Sequence, residues 1–266
     1  MPRLPFPLRL PPDAPRRLDL SAADAAIGLA IVGTMFIEKL LVDLGGRWID
    51  WPEPAIQTLR SLPAMGLLGS AVFLWGKAFL AEGDGFRQAG LLPRRPVRDL
   101  FWTSVGLPMG LVLTALTLAA VAQLATSLGH PPEPVNHTTL RQIQDAETRQ
   151  ELIGMLVLVV GLGPLLEEIA YRGLLQTSLL SVLGQNQRWL VVSVAAALFS
   201  VVHVGAVSWH ALPGLFVLGV VLGWLYERTG SLWPPFLIHA GFNAFNVWMV
   251  LAQPSWAGLE QSASLY

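Results

Sequence analysis

The sequence predicts an all-α fold, a polytopic bundle of about seven transmembrane helices. The first observation is composition: 53% of the residues are hydrophobic and only 13% are charged, whereas soluble domains carry about 25% charged residues. The second is that apolar runs recur along the chain, each near the roughly 20 residues that a helix needs to cross a bilayer. The third is that arginines collect in alternate connections, which is typical of a membrane protein with one orientation.

The predicted spans follow one another through mostly short connections. They lie near 24–44, 62–81, 101–128, 152–182, 190–208, 211–227 and 233–252. The fourth run is overlong, and its composition allows a split at Gly161, Gly163 and Pro164. A break at membrane depth is tolerated where neighbouring helices or water satisfy the freed backbone groups. We therefore expect a site beside this break to be wet.

The arginines predict the orientation. With the N-terminus inside, the inner segments hold Arg3, Arg9, Arg16, Arg17, Arg87, Arg94, Arg95, Arg98, Arg188 and Arg228. The outer loops hold Arg47, Arg60, Arg141 and Arg149. Because positively charged segments stay on the cytoplasmic side, we expect an integral protein of the cell inner membrane with a cytoplasmic N-terminus and an outer C-terminus.

Five segments organise the predicted protein. They are a cytoplasmic N-terminal tail at 1–20, N-terminal transmembrane helices at 21–128, an outer loop at 129–151, a transmembrane core at 152–252 and a C-terminal tail at 253–266. The tail at the N-terminus lacks the short apolar region and small-residue cleavage site of a signal peptide, so we expect it to be retained. We expect the 129–151 segment to be a solvated loop, with a lid over the site as the alternative.

Charge and cysteine content exclude several functions. A net charge of −1 leaves no basic surface for nucleic acid. The absence of cysteine removes disulfides, thiolate metal ligands and a cysteine nucleophile.

Three charged residues, Glu167, Glu168 and Arg172, lie inside the fourth apolar run. Each would cost at least ~2.5 kcal/mol near the centre of a membrane helix, so they need partners, water or a function. Glu168 and Arg172 are four apart and share a helix face, while Glu167 lies about 100° round from Glu168. We expect Arg172 to neutralise Glu168 and leave Glu167 facing a cavity. The alternative is a structural ion pair beside a protonated second glutamate.

Two later runs carry polar residues at helical spacing. FSVVH places Phe199 and His203 one turn apart, and HAGFN places His239 and Asn243 on one face, which Asn246 extends. Each pattern alone is typical of interhelical packing. Together with Glu167 they supply a general base, a second group to hold water and two donors for an oxyanion, which is a complete set for amide hydrolysis by activated water.

The three patterns resemble a known family. EEIAYR, FSVVH and HAGFN match the EExxxR, FxxxH and HxxxN motifs of the CAAX protease and bacteriocin-processing family, the CPBP or Abi intramembrane glutamic proteases. The YERTGSLWP turn is also similar to that family, and AGLLPRRPVRDLFW is similar more weakly. The motifs lie between about 160 and 250, which makes residues 152–252 the catalytic CPBP-like core.

The resemblance implies a role for each motif residue. Glu167 and His203 would hold and activate the hydrolytic water, and His239 and Asn243 would stabilise the oxyanion. Supporting positions would be Glu168, Arg172 and Phe199. It further implies an intramembrane endopeptidase without metal or cofactor, whose partners are membrane lipids and a peptide or protein substrate. Lipid modification of that substrate is left open, and we expect the cavity to open toward the cytoplasmic half.

Three other functions compete with this one. In a noncatalytic scaffold or bacteriocin-immunity protein the same polar groups would only pack helices. A zinc protease would use glutamate and histidine ligands, but no HExxH pair is present. A transporter would use intramembrane ionisable groups as a proton path, although no internal symmetry is visible. His210 either joins the site or caps the sixth span.

Overall fold

The computed structural model describes residues 18–44, 52–93, 95–131 and 138–252, and this part of the chain is all-α. Its α-helices are Ala22–Glu38 (α1), Glu53–Leu80 (α2), Gly85–Gln88 (α3), Pro96–Ser127 (α4), Thr138–Gln144 (α5), Arg149–Leu156 (α6), Gly163–Glu168 (α7), Thr177–Leu183 (α8), Arg188–Val201 (α9), Leu212–Thr229 (α10) and Trp233–Leu251 (α11). The predicted N-terminal tail up to residue 17 and the predicted C-terminal tail lie outside the described residues.

Within the described residues, five segments are long and apolar enough to cross a membrane, which indicates an integral membrane protein. They are Ala22–Val42, Glu53–Leu80, Pro96–Ser127, Arg149–Leu183 and Trp209–Thr229. Five of the roughly seven predicted spans therefore correspond to segments that are long and apolar enough. Of the other two, α9 has only 14 residues, and polar residues and prolines lower the hydropathy of α11.

The outer surface of the bundle is apolar. Val72, Phe79 and Leu116 expose 73%, 74% and 62% of their surfaces. Large exposed apolar patches are uncommon on soluble monomers. Such a surface suits helices that face lipid.

Local sequence explains where helices begin. Ser21 and Asp24 form a reciprocal cap on α1, with both hydrogen bonds between backbone N–H and side-chain oxygen at 3.1 Å. Asp24 also accepts from Lys77 Nζ at 2.8 Å, which joins α1 to α2. Prolines stand in the first turn of α4, α10 and α11, where a missing N–H leaves no hydrogen bond unmade.

The fourth predicted span is one continuous helical segment, residues 149–183, with two π-helical stretches. These are Val157–Leu162 and Ile169–Gln176. Gly163 donates its N–H to the carbonyl of Leu158, and a Cβ at Gly163 would lie 2.8 Å from that oxygen. The expected split near Gly161, Gly163 and Pro164 is thus a widened turn instead of a break. Single π-helical turns often occur at functional sites.

The core forms where α9 and α10 pack against residues 169–176. A Cβ on Gly219 of α10 would lie 3.0 Å from Ala196 Cα of α9, so the two backbones approach closely. Tyr171 and Leu174 are fully buried together with Phe199. This packing fixes the relative position of three of the predicted site segments.

Candidate active site

The predicted site residues surround one cavity of about 350 Å³. Residues 158–167 of the 149–183 helix form one wall, and the others come from α4, α9 with the turn after it, α10 and α11. The predicted residues among its lining are Glu167, Phe199, His203, His239 and Asn243. Glu168 and Arg172 lie behind this wall, and both are buried.

Glu168 is held by two partners. Its Oε1 accepts from Arg172 Nη1 at 3.0 Å and from His239 Nδ1 at 2.8 Å. Arg172 also donates from Nη2 to the carbonyl of Gly219 at 3.2 Å, and its guanidinium carbon lies 4.9 Å from the centre of the Phe199 ring. The ion pair expected from the spacing is present, and a buried charge of this kind needs such partners.

His239 connects the two glutamates. Because the Glu168 carboxylate accepts, Nδ1 of His239 carries a proton, and Nε2 is the atom directed at the cavity side. That Nε2 lies 4.0 Å from Oε2 of Glu167. The ring also meets the Phe199 ring nearly edge-on, with centroids 5.5 Å apart, so its orientation is fixed from two sides.

Glu167 is the less constrained carboxylate. Its side chain is 24% exposed and lines the cavity. Among the described residues, its Oε2 has no hydrogen-bond partner although the atom is buried. A carboxylate oxygen in this position can accept a hydrogen bond from a molecule in the cavity.

His203 stands outside its helix. We expected it inside a span at 190–208, but α9 ends at Val201 and His203 lies in the following turn. Gly205 then adopts φ of +84°, which turns the chain away from the helix axis. His203 Nδ1 lies 2.7 Å from the Phe199 carbonyl, and since a carbonyl only accepts, Nε2 is the acceptor of the neutral ring.

Asn243 is oriented by the first π-helical stretch. Its Nδ2 donates to the carbonyl of Val159 at 2.8 Å. An amide nitrogen has two hydrogens, so one remains for a group in the cavity. Asn246 also lines the cavity, and it donates from Nδ2 to the carbonyl of Phe242 in its own helix at 2.8 Å.

Some groups that contact or line the site are not part of the three sequence motifs. Two of them are the backbone carbonyls of Val159 and Gly219, which a motif of side chains does not specify. Lys39 donates from Nζ to the carbonyl of Val204 at 2.9 Å, next to His203. Leu140 of α5 lines the cavity from the predicted outer loop.

The sequence left two questions open: whether His210 joins the site, and whether the site holds a metal ion. His210 is buried on the turn Trp209–Ala211 and is not among the residues that line the cavity. Within residues 18–44, 52–93, 95–131 and 138–252, no group of three or more His, Cys, Asp or Glu side chains is placed to hold a metal ion.

Comparison with known proteins finds a match for one region of the chain. Residues 149–245 match the family model of the type II CAAX prenyl endopeptidases described as Rce1-like, a family of intramembrane endopeptidases. No curated protein and no solved structure matches the chain significantly. The matched range contains all three motifs and confirms the resemblance seen in them. Over residues 149–245, the chain is similar to the Rce1-like type II CAAX prenyl endopeptidase family.

Proposed function

We propose that the protein is an intramembrane endopeptidase that hydrolyses a peptide bond with water activated by Glu167 and His203. One observation carries the proposal: Glu167, His203, His239 and Asn243 line the same cavity. Packed apolar side chains between these groups would have favoured a noncatalytic scaffold.

The chemistry proposed for Glu167 follows from its environment. As the water oxygen bonds to the peptide carbonyl carbon, Glu167 takes the water proton. His203 holds the same water through Nε2, its acceptor atom. When the carbon–nitrogen bond breaks, Glu167 returns the proton to the departing amine, which is general base and then general acid catalysis.

His239 and Asn243 would stabilise the negative oxygen of the tetrahedral intermediate. Asn243 has one amide hydrogen left after its bond to Val159. His239 already donates through Nδ1 to Glu168, so a second donation through Nε2 requires the imidazolium form. Hydrogen-bond donors that are already oriented before the reaction stabilise the transition state most, because they need no reorganisation when the charge develops.

We propose a topology, a membrane and partners together with this activity. The apolar runs agree with about seven crossings of the cell inner membrane. The arginine distribution agrees with a cytoplasmic N-terminus. The partners are membrane lipids and a peptide or protein substrate. The family name includes prenylated tails, but no residue described above requires a lipid on the substrate.

The activity is tested by comparing membrane proteomes of cells that contain the native chain or Glu167→Ala. New polypeptide ends that require Glu167 identify substrates. Glu82→Gln serves as the matched control because Glu82 lies on the surface, outside the cavity. Identical sets of polypeptide ends in all three membranes would support the scaffold or immunity protein instead.

A zinc protease is the alternative enzyme class. Its site would need three protein ligands and a water. Elemental analysis of the purified protein separates the two mechanisms: one zinc per chain, lost together with activity and restored with it, would replace the glutamate mechanism.

A further inference from the structure

His203 lies in a turn of residues 202–207, which we call the His203 turn. The turn begins where α9 ends, and its Ala206 and Val207 line the cavity together with His203. Its backbone hydrogen bonds are local: the N–H groups of Ala206 and Val207 both donate to the His203 carbonyl, at 3.0 and 3.2 Å. Local bonds maintain the shape of a turn, but they do not fix its place relative to the rest of the site.

A lysine from the first helix contacts this turn. Lys39 follows α1 directly, and its Nζ donates to the carbonyl of Val204, the residue after His203, at 2.9 Å. The ammonium also lies 3.7 Å from Oε2 of Glu38, whose side chain is only 11% exposed. A hydrogen bond with a charged donor is roughly twice as strong as one between neutral groups. The contact therefore ties the turn to a distant part of the chain.

The helix that precedes Lys39 is itself anchored beside the site. Val32 and Met35 of α1 are buried in one apolar cluster with Phe199. Phe199 is the residue whose carbonyl binds the His203 ring. Val32, Met35 and Lys39 follow one another at spacings of three and four, so they share one helix face. That face contacts the residues on both sides of His203, and it provides a support that is fixed in the core.

We propose that Lys39 is a positioning residue of the active site, which holds the His203 turn through the Val204 carbonyl. The turn then keeps Nε2 of His203 at the distance from Glu167 at which both can bind one water. The site depends in this way on an element outside residues 149–245, the region that matches the family model. The effect on catalysis rests on the function proposed above, whereas the contact between Lys39 and the turn does not.

Three variants of the full chain test this role. Lys39→Met removes the charged donor and keeps an unbranched side chain that suits a helix. Lys39→Arg restores a charged donor. Lys77→Met is the matched control, because Lys77 also binds α1, at 2.8 Å from Asp24, but does so at the opposite end of that helix from the turn.

The kinetic probe is a peptide that spans a cleavage point found by the proteome comparison. We expect Lys39→Met to lower kcat by roughly 10–10²-fold, because small errors in the placement of a reacting group have effects of this size. KM should change little, since the attack of the water is affected more than substrate binding. Lys39→Arg should recover most of the loss, and Lys77→Met should keep the parental kcat.

A parental kcat in Lys39→Met, or an equal loss in Lys77→Met, would overturn the proposal. A role in stability alone would lower the amount of folded protein and leave kcat per folded chain unchanged. If Lys39→Met lowers the membrane abundance, Lys39→Gln replaces it. The neutral donor of Lys39→Gln should give a smaller loss of kcat in the same direction, and a parental kcat would again overturn the proposal.

A spin label measures the contact without any cleavage. Because the chain has no cysteine, Val204→Cys, at a position that is 41% exposed, takes a single nitroxide. We expect electron paramagnetic resonance to show a more mobile label when Lys39→Met is added, and an unchanged one when Lys77→Met is added. Equal mobility in all three proteins would overturn the contact. Greater mobility with Lys39→Met, in a chain whose native form produces no Glu167-dependent polypeptide ends, would reject the proposed peptidase and leave the contact standing.

Discussion

At the scale of the residue, Glu167 and Glu168 are chain neighbours with different surroundings. Glu168 is completely buried, and its Oε1 accepts from both Arg172 and His239. Glu167 lines the cavity, and its Oε2 has no partner among the described residues. A carboxylate already bound to a guanidinium is a poor base, so the structure supports Glu167 as the reacting group.

The first prediction separates these two carboxylates. Glu167→Gln should retain the membrane abundance of the parent and lose cleavage, because it removes the base and breaks no contact of the core. Glu168→Gln should lose part of both, since it weakens the bonds to Arg172 and His239. Immunoblots of membranes and cleavage of a reporter measure the two quantities. Parental cleavage by Glu167→Gln would reject its role.

The second prediction concerns Arg172, whose side chain is 1% exposed. Arg172→Ala leaves Glu168 as a buried charge without its cation, and such a loss typically costs ~3–5 kcal/mol. Unfolding of the purified protein in detergent measures the change. Arg87→Ala is the control: its surface pair with Asp84 is worth about 0–1 kcal/mol. Equal stability of both variants would contradict the burial argument.

The third prediction concerns Asn243. If its free amide hydrogen meets the developing oxyanion, Asn243→Ala should lower kcat by roughly 10²–10³, or ~2.7–4 kcal/mol. KM should change little, because the contact strengthens only in the transition state. Asn246→Ala is the matched control, since Asn246 bonds within its own helix. An unchanged kcat with a raised KM would place Asn243 in substrate binding.

Spacing along one helix predicts local contacts well and distant contacts poorly. The pair of Glu168 and Arg172 is four residues apart and follows from helical geometry. The bond between His239 and Glu168 joins positions 71 residues apart, and it depends on how α11 packs against the 149–183 helix. The motif pattern indicated that these residues act together, but not which atoms meet.

At the scale of the element, the sequence is least informative about where helices end or change form. We expected one span over 190–208, yet α9 ends at Val201. The apolar run continues past that point, so hydropathy has no signal there, while Gly205 and the His203 bond to Phe199 end the helix. The amino-acid composition of the 149–183 helix likewise does not predict its two π-helical stretches.

The fourth prediction tests the close approach of α9 and α10. Gly219→Ala places a Cβ 3.0 Å from Ala196 Cα, and overpacking of this kind typically costs about 1–3 kcal/mol. It should also disturb Arg172, which bonds the Gly219 carbonyl. Gly76→Ala is the control, because a Cβ there has no neighbour within 4 Å. Equal thermal stability of the two variants in detergent would reject the packing argument.

At the scale of the whole molecule, composition predicted the membrane and the all-α class, while the number of crossings depends on helices that hydropathy cannot classify. In the part of the chain that the structure describes, five segments are long and apolar enough to cross a membrane. The sixth candidate, α9, is short, and the seventh, α11, carries the polar residues of the site. Residues that line a wet cavity lower the hydropathy of the helix that bears them, so function itself weakens the membrane signal.

The fifth prediction is that α9 crosses the bilayer despite its length. Its 14 residues span about 21 Å at 1.5 Å per residue, less than the roughly 30 Å of the hydrocarbon core. The cavity at its C-terminal end supplies the difference, because water that enters this cavity would reach His203 before the helix reaches the membrane surface. The two ends of α9 should therefore be accessible from opposite faces.

Cysteine labelling of the two ends decides whether α9 crosses. Asn186 is exposed just before α9, and Val204 is 41% exposed just after it. In intact cells an impermeant thiol reagent should label only one of the variants Val204→Cys and Asn186→Cys, and the other should react only after permeabilisation. Both variants reacting from the same face would make α9 a re-entrant segment, and α10 and α11 would then run in the opposite direction through the membrane.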